Sequence, residues 1–367
     1  MPEMSTPSAD AGPALALIKA AVRAQAAYTL AAPVARRKLN QNESPADLPE
    51  PLKRKLLERM AAVPWHRYPP YTPGTITARL AARHGWQADG VLVGNGSNEL
   101  IQATLMVALE PGDVVVAPAP TFTLYQLVTA VLGGRYLPVA LGADFTYDVD
   151  TIIAVARRER AKVVVLNSPN NPTGSSLPPG GVEQVLAGTE GLVVCDEAYQ
   201  EFGGPSAVGL LPASPRLVVM KTFSKAVGLA GLRFGYALAH PAVAREICKA
   251  KLPYNVNALT LAAVDVMLDH VGDIDTRARA VVAERERLRT RLEPLPGITV
   301  FPSAANFLLA RFRSRPAREV FRRLLDEFGI LVRDVSAGPG LAECLRISLG
   351  TPDDNDAVVD ALTRILS

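Results

Sequence analysis

The clearest evidence for the fold lies in residues 162–174, which read KVVVLNSPNNPTG. A run of valine and leucine without polar alternation is typical of a strand buried on both faces, as in a parallel sheet covered by helices. Short runs of the same kind, each followed by helical sequence, recur at 91–93, 113–116, 192–195, 217–220 and 234–238. This alternation predicts an α/β fold, with a doubly wound domain around a mostly parallel sheet.

The sequence after about residue 270 has a different pattern. A long charged helix is predicted over residues 276–292. The strands predicted after it are 298–300, 307–310, 330–332 and 345–348, and the helices are 316–328 and 352–367. Thr351, Pro352 and Asp354 have the signature of a capping box at the start of the last helix. The expected parts are an N-terminal arm at 1–37, a large domain at 38–270 and a small α+β domain at 271–367.

The composition is that of an ordinary globular protein, with 49% apolar and 20% charged residues in a chain of 367. The formal net charge of +3 is too small to indicate nucleic-acid binding. Arginines between Arg277 and Arg291 alternate with acids, as on a solvated helix face. No run reaches about 18 consecutive apolar residues, so we expect no membrane span.

The N-terminus and the cysteines bear on location. Residues 1–10 lack the basic and apolar segments of a signal peptide, and the Ala-rich residues 11–37 are interpreted as an arm rather than a transit peptide. Cys195, Cys248 and Cys344 lie far apart in the sequence, which favours free thiols in a reducing compartment. We therefore expect a cytoplasmic protein. No cysteines or histidines stand at ligand spacing, so no metal site is predicted.

Active sites of doubly wound sheets gather at the carboxyl ends of the strands, so the residues after each run are candidates for function. The segment 94–98, GNGSN, follows the first run and opens a helix, where backbone amides and the helix dipole favour an anion. The third glycine of a dinucleotide-binding motif is missing, and a plain turn also fits this segment. After the second run, two prolines hold an extended loop that presents Phe122 either to a planar ligand or to the core.

Three later strand ends carry polar residues. The loop 168–174 places two asparagines between two prolines, which a plain turn does not require. Asp196 ends a buried strand, where a carboxylate is costly unless it meets a cation or several donors, or caps a helix. Lys225 stands among hydroxyl and small residues. In a desolvated pocket its pKa would fall and the neutral amine could form a Schiff base with a carbonyl, although a lone lysine is usually a solvated surface group.

As a set, these segments resemble the class I/II aminotransferases of fold type I, which depend on pyridoxal 5′-phosphate. The segments that carry the resemblance are 168–174, 196–199 (DEAY), 224–225 (SK) and 231–233 (GLR). The resemblance runs from Tyr28 to the last helix, and within the family it is strongest to the histidinol-phosphate aminotransferases. It implies that the large domain binds the cofactor and that the enzyme is a homodimer with shared active sites.

The resemblance implies a role for each strand end. Lys225 carries the cofactor and moves a proton during transamination. Asp196 pairs with the pyridinium nitrogen and keeps it protonated, which makes the ring an electron sink. Asn171 and Tyr199 hydrogen-bond the ring oxygen O3′, and Phe122 stacks on the ring. Lys225, Asp196 and Tyr199 are the expected catalytic residues.

The resemblance also assigns the cofactor phosphate and a subunit contact. The residues implied for the phosphate are Gly96, Ser97, Asn98, Ser224 and Arg233, with assistance from Thr222. The segment 66–69, HRYP, resembles the family segment whose tyrosine reaches the phosphate of the neighbouring subunit. We therefore expect Tyr68 to act across a dimer interface.

Five residues are expected to face the substrate. Asn42 and Glu43 belong to the family's entry segment and are expected near the substrate entrance. Arg346 matches the arginine that binds the acidic group of the substrate, and Arg333 matches a second arginine that binds a substrate phosphate. Tyr28 is expected to contact the substrate from the arm. Two alternatives stay open, namely that Arg333 pairs with a nearby acid and that Tyr28 only packs the arm down.

With these residues present, the resemblance favours L-histidinol phosphate and 2-oxoglutarate as substrates. The segment 42–45, NESP, departs from the Asn-Glu-Asn-Pro of many members, which leaves the cofactor chemistry untouched. An aromatic amino-acid aminotransferase is the first alternative and a phosphothreonine decarboxylase a more distant one, because such relatives share nearly all these motifs. A non-catalytic cofactor-binding or regulatory module is disfavoured by the presence of Lys225 and Asp196 and by the lack of a helix-turn-helix pattern before residue 91.

Overall fold

The computed structural model describes residues 12–25 and 33–367. Its helices are α1 (Gly12–Ala16), α2 (Ala20–Arg23), α3 (Glu50–Ala61), α4 (Gly74–His84), α5 (Ser97–Ala108), α6 (Leu124–Val131), α7 (Val149–Arg158), α8 (Gly181–Gly188), α9 (Pro241–Ala250), α10 (Ala258–Met267), α11 (Val271–Leu292), α12 (Ala317–Asp326) and α13 (Pro352–Leu366). Its strands are β1 (Arg37–Lys38), β2 (Val91–Asn95), β3 (Val114–Ala119), β4 (Arg135–Ala140), β5 (Val163–Asn167), β6 (Leu192–Asp196), β7 (Leu217–Thr222), β8 (Phe234–Ala239), β9 (Ile298–Val300), β10 (Phe307–Phe312), β11 (Ile330–Leu331), β12 (Arg333–Asp334) and β13 (Cys344–Ser348).

The larger sheet has seven strands in the order β2-β8-β7-β6-β5-β3-β4. Neighbouring strands are parallel except at β8, which runs antiparallel to both β2 and β7. Every residue of β5, β7 and β8 is buried. Successive residues face opposite sides, so that Val164 and Leu166 join one apolar cluster and Val163 and Val165 join another. The predicted α/β fold with a mostly parallel sheet is confirmed.

Two features of this sheet differ from what the sequence indicates. The edge strand β4 is not predicted, because its residues are mostly exposed or half-buried and include Pro138, which only an edge strand tolerates well. The direction of β8 is not predicted either, because a continuous apolar run has the same composition in a parallel and an antiparallel strand. Neither difference moves the carboxyl ends of β3, β5, β6 and β7, which lie at one edge of the sheet.

The smaller sheet is antiparallel, with strand order β12-β13-β10-β9. Helix α13 begins with the predicted capping box: the Thr351 hydroxyl accepts the Asp354 N–H at 3.2 Å, and the Asp354 carboxylate accepts the Thr351 N–H at 3.1 Å. The strand predicted at 330–332 is divided, because β11 and β12 pair with different strands on either side of Val332.

Strand β1 connects the beginning of the described chain to this smaller sheet. Arg37 and Lys38 pair in parallel with Ile330 and Leu331. Leu39 continues the connection, since its N–H donates to the Leu331 carbonyl at 2.7 Å and its carbonyl accepts the Ser348 N–H at 3.0 Å. Residues 37–39 are therefore held between β11 and β13, and the chain passes from there directly into the segment 40–43.

Helix α11 is the longest described helix, and it begins at Val271, before the predicted start at Thr276. Its arginines are not all on a solvated face, which corrects the sequence interpretation. Arg285 is 7% exposed and donates to the carbonyls of Phe202 and Ala305 at 3.2 and 3.0 Å. Across residues 12–25 and 33–367, no helix combines the length and the apolar character needed to cross a membrane.

The capping box gives a stability prediction. Thr351→Ala should lower the free energy of unfolding by about 1 kcal/mol, because it removes the side-chain acceptor at the start of α13. Thr363→Ala is the matched control, since that hydroxyl only bonds the Val359 carbonyl of the preceding turn at 2.8 Å. Urea unfolding followed by circular dichroism measures both, and equal losses in the two variants would contradict the assignment.

Candidate active site

A cavity of about 930 Å³ opens at the carboxyl ends of β3, β5, β6 and β7 and extends to the smaller sheet. Its walls bring together most of the residues singled out in the sequence. Those that line it are Asn42, Ser97, Asn98, Phe122, Asn171, Asp196, Tyr199, Thr222, Ser224, Lys225, Arg233, Arg333 and Arg346.

An anion cup lies where β2 meets α5. Gly96 has φ +78°, a left-handed conformation that favours glycine, and it turns the chain into the helix that starts at Ser97. A Cβ on Gly96 would lie 2.4 Å from the Arg233 guanidinium, and a Cβ on Gly235 would lie 2.3 Å from the Ser97 amide nitrogen. The two glycines therefore let the guanidinium and the free N–H groups of the first helical turn converge on one point.

Two hydroxyls complete the cup. The Arg233 guanidinium donates to the Ser224 hydroxyl at 3.1 Å. The Thr222 hydroxyl donates to the same Ser224 oxygen at 3.0 Å and accepts the Ser224 N–H at 3.1 Å. Thr222 thus orients Ser224, while Ser224 and Arg233 stand beside the helix start. Backbone N–H groups, a hydroxyl and a guanidinium are the donors that a phosphate requires.

Asp196 is the last residue of β6 and is 3% exposed. Its Oδ2 accepts the Tyr125 hydroxyl at 2.6 Å, and its Oδ1 accepts the Ala198 N–H at 3.1 Å. Burial raises the pKa of Asp196, and the hydrogen bonds from Tyr125 and Ala198 oppose that shift. Sequence reasoning missed Tyr125, because an aromatic residue inside an apolar helix has no feature that separates it from an ordinary core residue.

Lys225 is mostly buried and lines the cavity. Burial lowers its pKa to about 7, with further lowering by the positive charges of Arg346 and Arg233 and opposition from Glu43. Its Nζ donates to the Gln41 carbonyl at 2.9 Å. Near neutral pH a substantial fraction of this amine is uncharged, and the uncharged form is the one that attacks a carbonyl.

The two asparagines after β5 have different environments. Asn170 is completely buried, and its amide nitrogen donates to the Pro120 carbonyl at 2.8 Å, which holds the loop that carries Phe122. Asn171 lines the cavity, and its side-chain oxygen accepts a hydrogen bond from Arg346. Phe122 also lines the cavity and packs edge-on against Tyr125 at 5.8 Å.

Asn42 lies deeper than an entrance residue. It is 1% exposed, and its amide nitrogen donates to the Tyr199 hydroxyl at 3.0 Å. Ser348, which the sequence reading did not include, donates to the Asn42 side-chain oxygen at 2.8 Å and accepts its backbone N–H at 2.9 Å. These contacts favour a role for Asn42 in orienting Tyr199. Glu43 forms an ion pair with Lys38.

Arg333 and Arg346 occupy directly opposed positions on the antiparallel strands β12 and β13. Opposed residues project from the same face of a sheet, so both guanidiniums line the cavity. Arg346 is 8% exposed and donates to the Asn40 carbonyl at 2.6 Å, whereas Arg333 is half-buried. The register of two strands thus brings together two arginines that are separated in sequence.

Tyr68 does not line this cavity. Tyr68 is 80% exposed and stacks on Tyr254 with ring centroids 4.6 Å apart. Tyr28 lies outside the described residues, so its predicted substrate contact stays a prediction. Within the described parts of the chain, no group of histidine, cysteine, aspartate and glutamate side chains is arranged to hold a metal ion.

Comparison with known proteins identifies the family. Residues 37–362 match the family model described as aminotransferase class I and II. The chain belongs to this family. It is therefore a transaminase that depends on pyridoxal phosphate.

Individual aminotransferases are similar over most of the chain. A histidinol-phosphate aminotransferase of Chlorobaculum parvum is 39% identical over 89% of this chain and 91% of its own length. A protein of Bordetella parapertussis, histidinol-phosphate aminotransferase 2, is 40% identical over 95% of this chain and 96% of its own. The crystal structure of the Sinorhizobium meliloti histidinol-phosphate aminotransferase with pyridoxal-5′-phosphate has a TM-score of 0.82 at 26% identity, with 90% of this chain and 91% of that chain covered.

The cavity of this aminotransferase fits the cofactor. When bound, pyridoxal phosphate supplies a carbonyl for amino groups and a protonated ring that withdraws electrons. The anion cup suits its phosphate, since Gly96 and Gly235 have no Cβ that would obstruct the Arg233 guanidinium and the Ser97 amide. A buried carboxylate, a flat aromatic side chain and a lysine with a lowered pKa line the same cavity, and they suit its ring nitrogen, its ring face and its carbonyl.

The glycines of the cup give a binding prediction. Gly235→Ala should weaken binding of pyridoxal phosphate by about tenfold or more, because the new methyl group displaces the Ser97 amide and at least one charge-assisted hydrogen bond is lost. Gly231→Ala is the control, since a Cβ there meets no atom within 4 Å. Equilibrium titration of the visible absorbance measures both affinities, and unchanged affinity in Gly235→Ala would refute this account of the cup.

The lowered pKa of Lys225 gives a pH prediction. The rate at which cofactor-free enzyme captures pyridoxal phosphate should rise between about pH 6 and about pH 8 and then level off, because deprotonation is centred near the lysine pKa of about 7. Stopped-flow absorbance measures the rate, and butylamine in the same buffers corrects for ionisation of the cofactor. A rate that climbs steadily to about pH 10 would assign Lys225 an ordinary lysine pKa instead.

Proposed function

We propose that this transaminase transfers the amino group of L-histidinol phosphate to 2-oxoglutarate, giving imidazole acetol phosphate and L-glutamate, as a step in histidine biosynthesis. The observation that carries the proposal is the facing pair of Arg333 and Arg346 on the cavity wall. The curated relatives of similar length, which bear the name of this activity, support it.

The paired arginines favour a phosphate over a single carboxylate at the far end of the substrate. A phosphate monoester carries close to two negative charges near neutral pH and offers three acceptor oxygens, which two guanidiniums can share. An aromatic amino acid offers one carboxylate, which one arginine satisfies through a bidentate contact. The second guanidinium would then face an apolar ring without a matching charge.

The residues that line the cavity take the following parts in this proposal. The Lys225 amine moves the proton that leaves the substrate Cα, and its lowered pKa suits it to both accepting and releasing that proton. Asp196 holds a proton at the ring nitrogen of the cofactor. Asn171 and Tyr199 bind the ring oxygen O3′, and Phe122 covers one face of the ring. Ser97, Asn98, Ser224 and Arg233 bind the cofactor phosphate.

The working unit in this proposal is a cytoplasmic homodimer in which Tyr68 reaches the cofactor phosphate of the neighbouring subunit. Tyr68 and Tyr71 are exposed and both contact the exposed Tyr254. Such a cluster supports a subunit contact at this place, since exposed apolar patches are uncommon on monomers. Trp65 and Leu252, which are near these residues in sequence, are exposed as well. The three cysteines are free thiols, which is typical of proteins in a reducing compartment.

A substrate comparison tests the function directly. We expect low concentrations of L-histidinol phosphate, but not of L-phenylalanine, to abolish the visible band of the bound cofactor, because only the phosphate engages both arginines. A response to phenylalanine alone would identify an aromatic amino-acid aminotransferase.

A variant of Arg333 tests the phosphate contact. Arg333→Gln should raise the KM for L-histidinol phosphate by about tenfold and leave the KM for L-histidinol unchanged, because only the phosphate ester loses a charged contact. Arg313→Gln is the control, as Arg313 is exposed and does not line the cavity. Equal increases in KM for both substrates would mean that Arg333 does not bind the phosphate.

Hybrid dimers test the shared active site. When Tyr68→Phe subunits are mixed with Lys225→Ala subunits, each mixed dimer gains one site with an intact lysine and an intact tyrosine from the other subunit. Activity should exceed that of the Tyr68→Phe homodimer. Wild-type subunits mixed with the Tyr68→Phe/Lys225→Ala double variant are the control, in which the only active lysine faces Phe at position 68. Equal activity of the two mixtures would exclude a contact across the interface.

A further inference from the structure

The carboxylate of Asp196 is almost completely removed from water, with 3% of the residue exposed. A carboxylate in such a place is costly unless donors reach its oxygens. One donor is the Ala198 N–H, 3.1 Å from Oδ1, and another is the Tyr125 hydroxyl, 2.6 Å from Oδ2. Of these two, Tyr125 is the donor that a substitution can remove.

The position of Tyr125 is itself fixed by packing. The side chain is 0% exposed and belongs to the apolar cluster between the sheet and α5 and α6. Its ring meets Phe122 edge-on, with an interplanar angle of 88°. Burial and the negative charge of Asp196 raise the pKa of Tyr125 well above its usual value, so the hydroxyl stays protonated and can only donate to the carboxylate.

We propose that Tyr125 is a positioning residue that keeps Asp196 ionised and fixed against the ring nitrogen of the cofactor. The inference rests on the proposed place of Asp196 at that nitrogen. A neutral donor suits this task, because it stabilises the carboxylate without neutralising it. An arginine or lysine in the same place would compete with the pyridinium for the charge of Asp196.

Other charged groups near Asp196 do not take over this part. Glu197 follows it in sequence and raises its pKa, while the more distant charge of Lys225 lowers it by a smaller amount than the Tyr125 hydrogen bond. Lys225 would also be joined to the cofactor in the holoenzyme, so its effect on Asp196 would no longer be that of a free ammonium group. Tyr125 therefore supplies a stabilisation that persists when the cofactor is bound.

The first turn of α6 and the loop before it carry both side chains proposed to act on the ring. Phe122 lies two residues before α6, Tyr125 lies in its first turn, and their rings are in contact. Phe122, which is proposed to cover the ring face, is thus packed against Tyr125, which is proposed to act on the ring nitrogen through Asp196.

The test compares two holoenzymes that each lose one buried tyrosine hydroxyl. In Tyr125→Phe, the proton shared between Asp196 and the ring nitrogen should shift towards Asp196, so the ring carries less positive charge. The midpoint pH at which the visible absorbance of the bound cofactor changes should therefore rise. The dissociation constant for pyridoxal phosphate should rise about tenfold, as expected for the loss of a hydrogen bond to a charged group. The control is Tyr236→Phe, since Tyr236 is 3% exposed and bonds His84 at 2.8 Å outside the cavity wall.

Repeating the change in an Asp196→Asn background separates the two assignments. If Tyr125 acts through Asp196, Tyr125→Phe should cause no further shift of the absorbance transition there. The inference would be overturned if Tyr125→Phe caused a shift of the same size in both backgrounds. It would also be overturned if Tyr125→Phe had the same absorbance titration and cofactor affinity as Tyr236→Phe. Either result would leave the proposed role of Asp196 at the ring nitrogen unaffected. An Asp196→Asn enzyme with a wild-type transition would overturn both.

Discussion

The burial of the large sheet on both faces determines where this protein can place polar chemistry. Strands β5 and β7 are entirely buried, and polar groups along them would lack water as a partner. Each of the three central parallel strands ends on a polar residue with less than a tenth of its surface exposed: Asn167, Asp196 and Thr222. Asn167 accepts the Asn171 N–H, Asp196 accepts the Tyr125 hydroxyl, and Thr222 orients Ser224. The active site therefore lies at the carboxyl ends of these strands, where the apolar faces of the sheet end.

The charges of the site follow from the same geometry. Two carboxylates, those of Asp196 and Asp334, line the cavity together with a lysine and three arginines, so the cavity wall is positive overall. That excess suits a cofactor and a substrate that each bring a phosphate. It also contributes to the low pKa of Lys225, because Arg346 and Arg233 disfavour another positive charge nearby. Anion binding and amine reactivity in this cavity therefore depend on the same side chains.

The sequence predicts the parts of this architecture that depend on local pattern. Continuous apolar runs mark the central strands, and the polar residues directly after them mark the cavity wall. The exposed edge strand β4 is missed because it has no such run. Tyr125 and Ser348 are missed because their parts depend on contacts with residues 71 and 306 positions away. The meeting of Arg333 and Arg346 depends on strand register, which neither segment encodes alone.

Strand β1 has a structural consequence. Residues 37–39 are bonded to β11 and β13, and the next three residues bring the Gln41 carbonyl to Lys225 and the Asn42 amide to Tyr199. Residues 37–42 thus connect the small sheet directly to the surroundings of the reactive amine. Arg346 in β13 donates to the Asn40 carbonyl in the same segment. Residues 39–42 therefore contact both the arginine at the far end of the cavity and the groups that surround Lys225, with no helix or hinge loop in between.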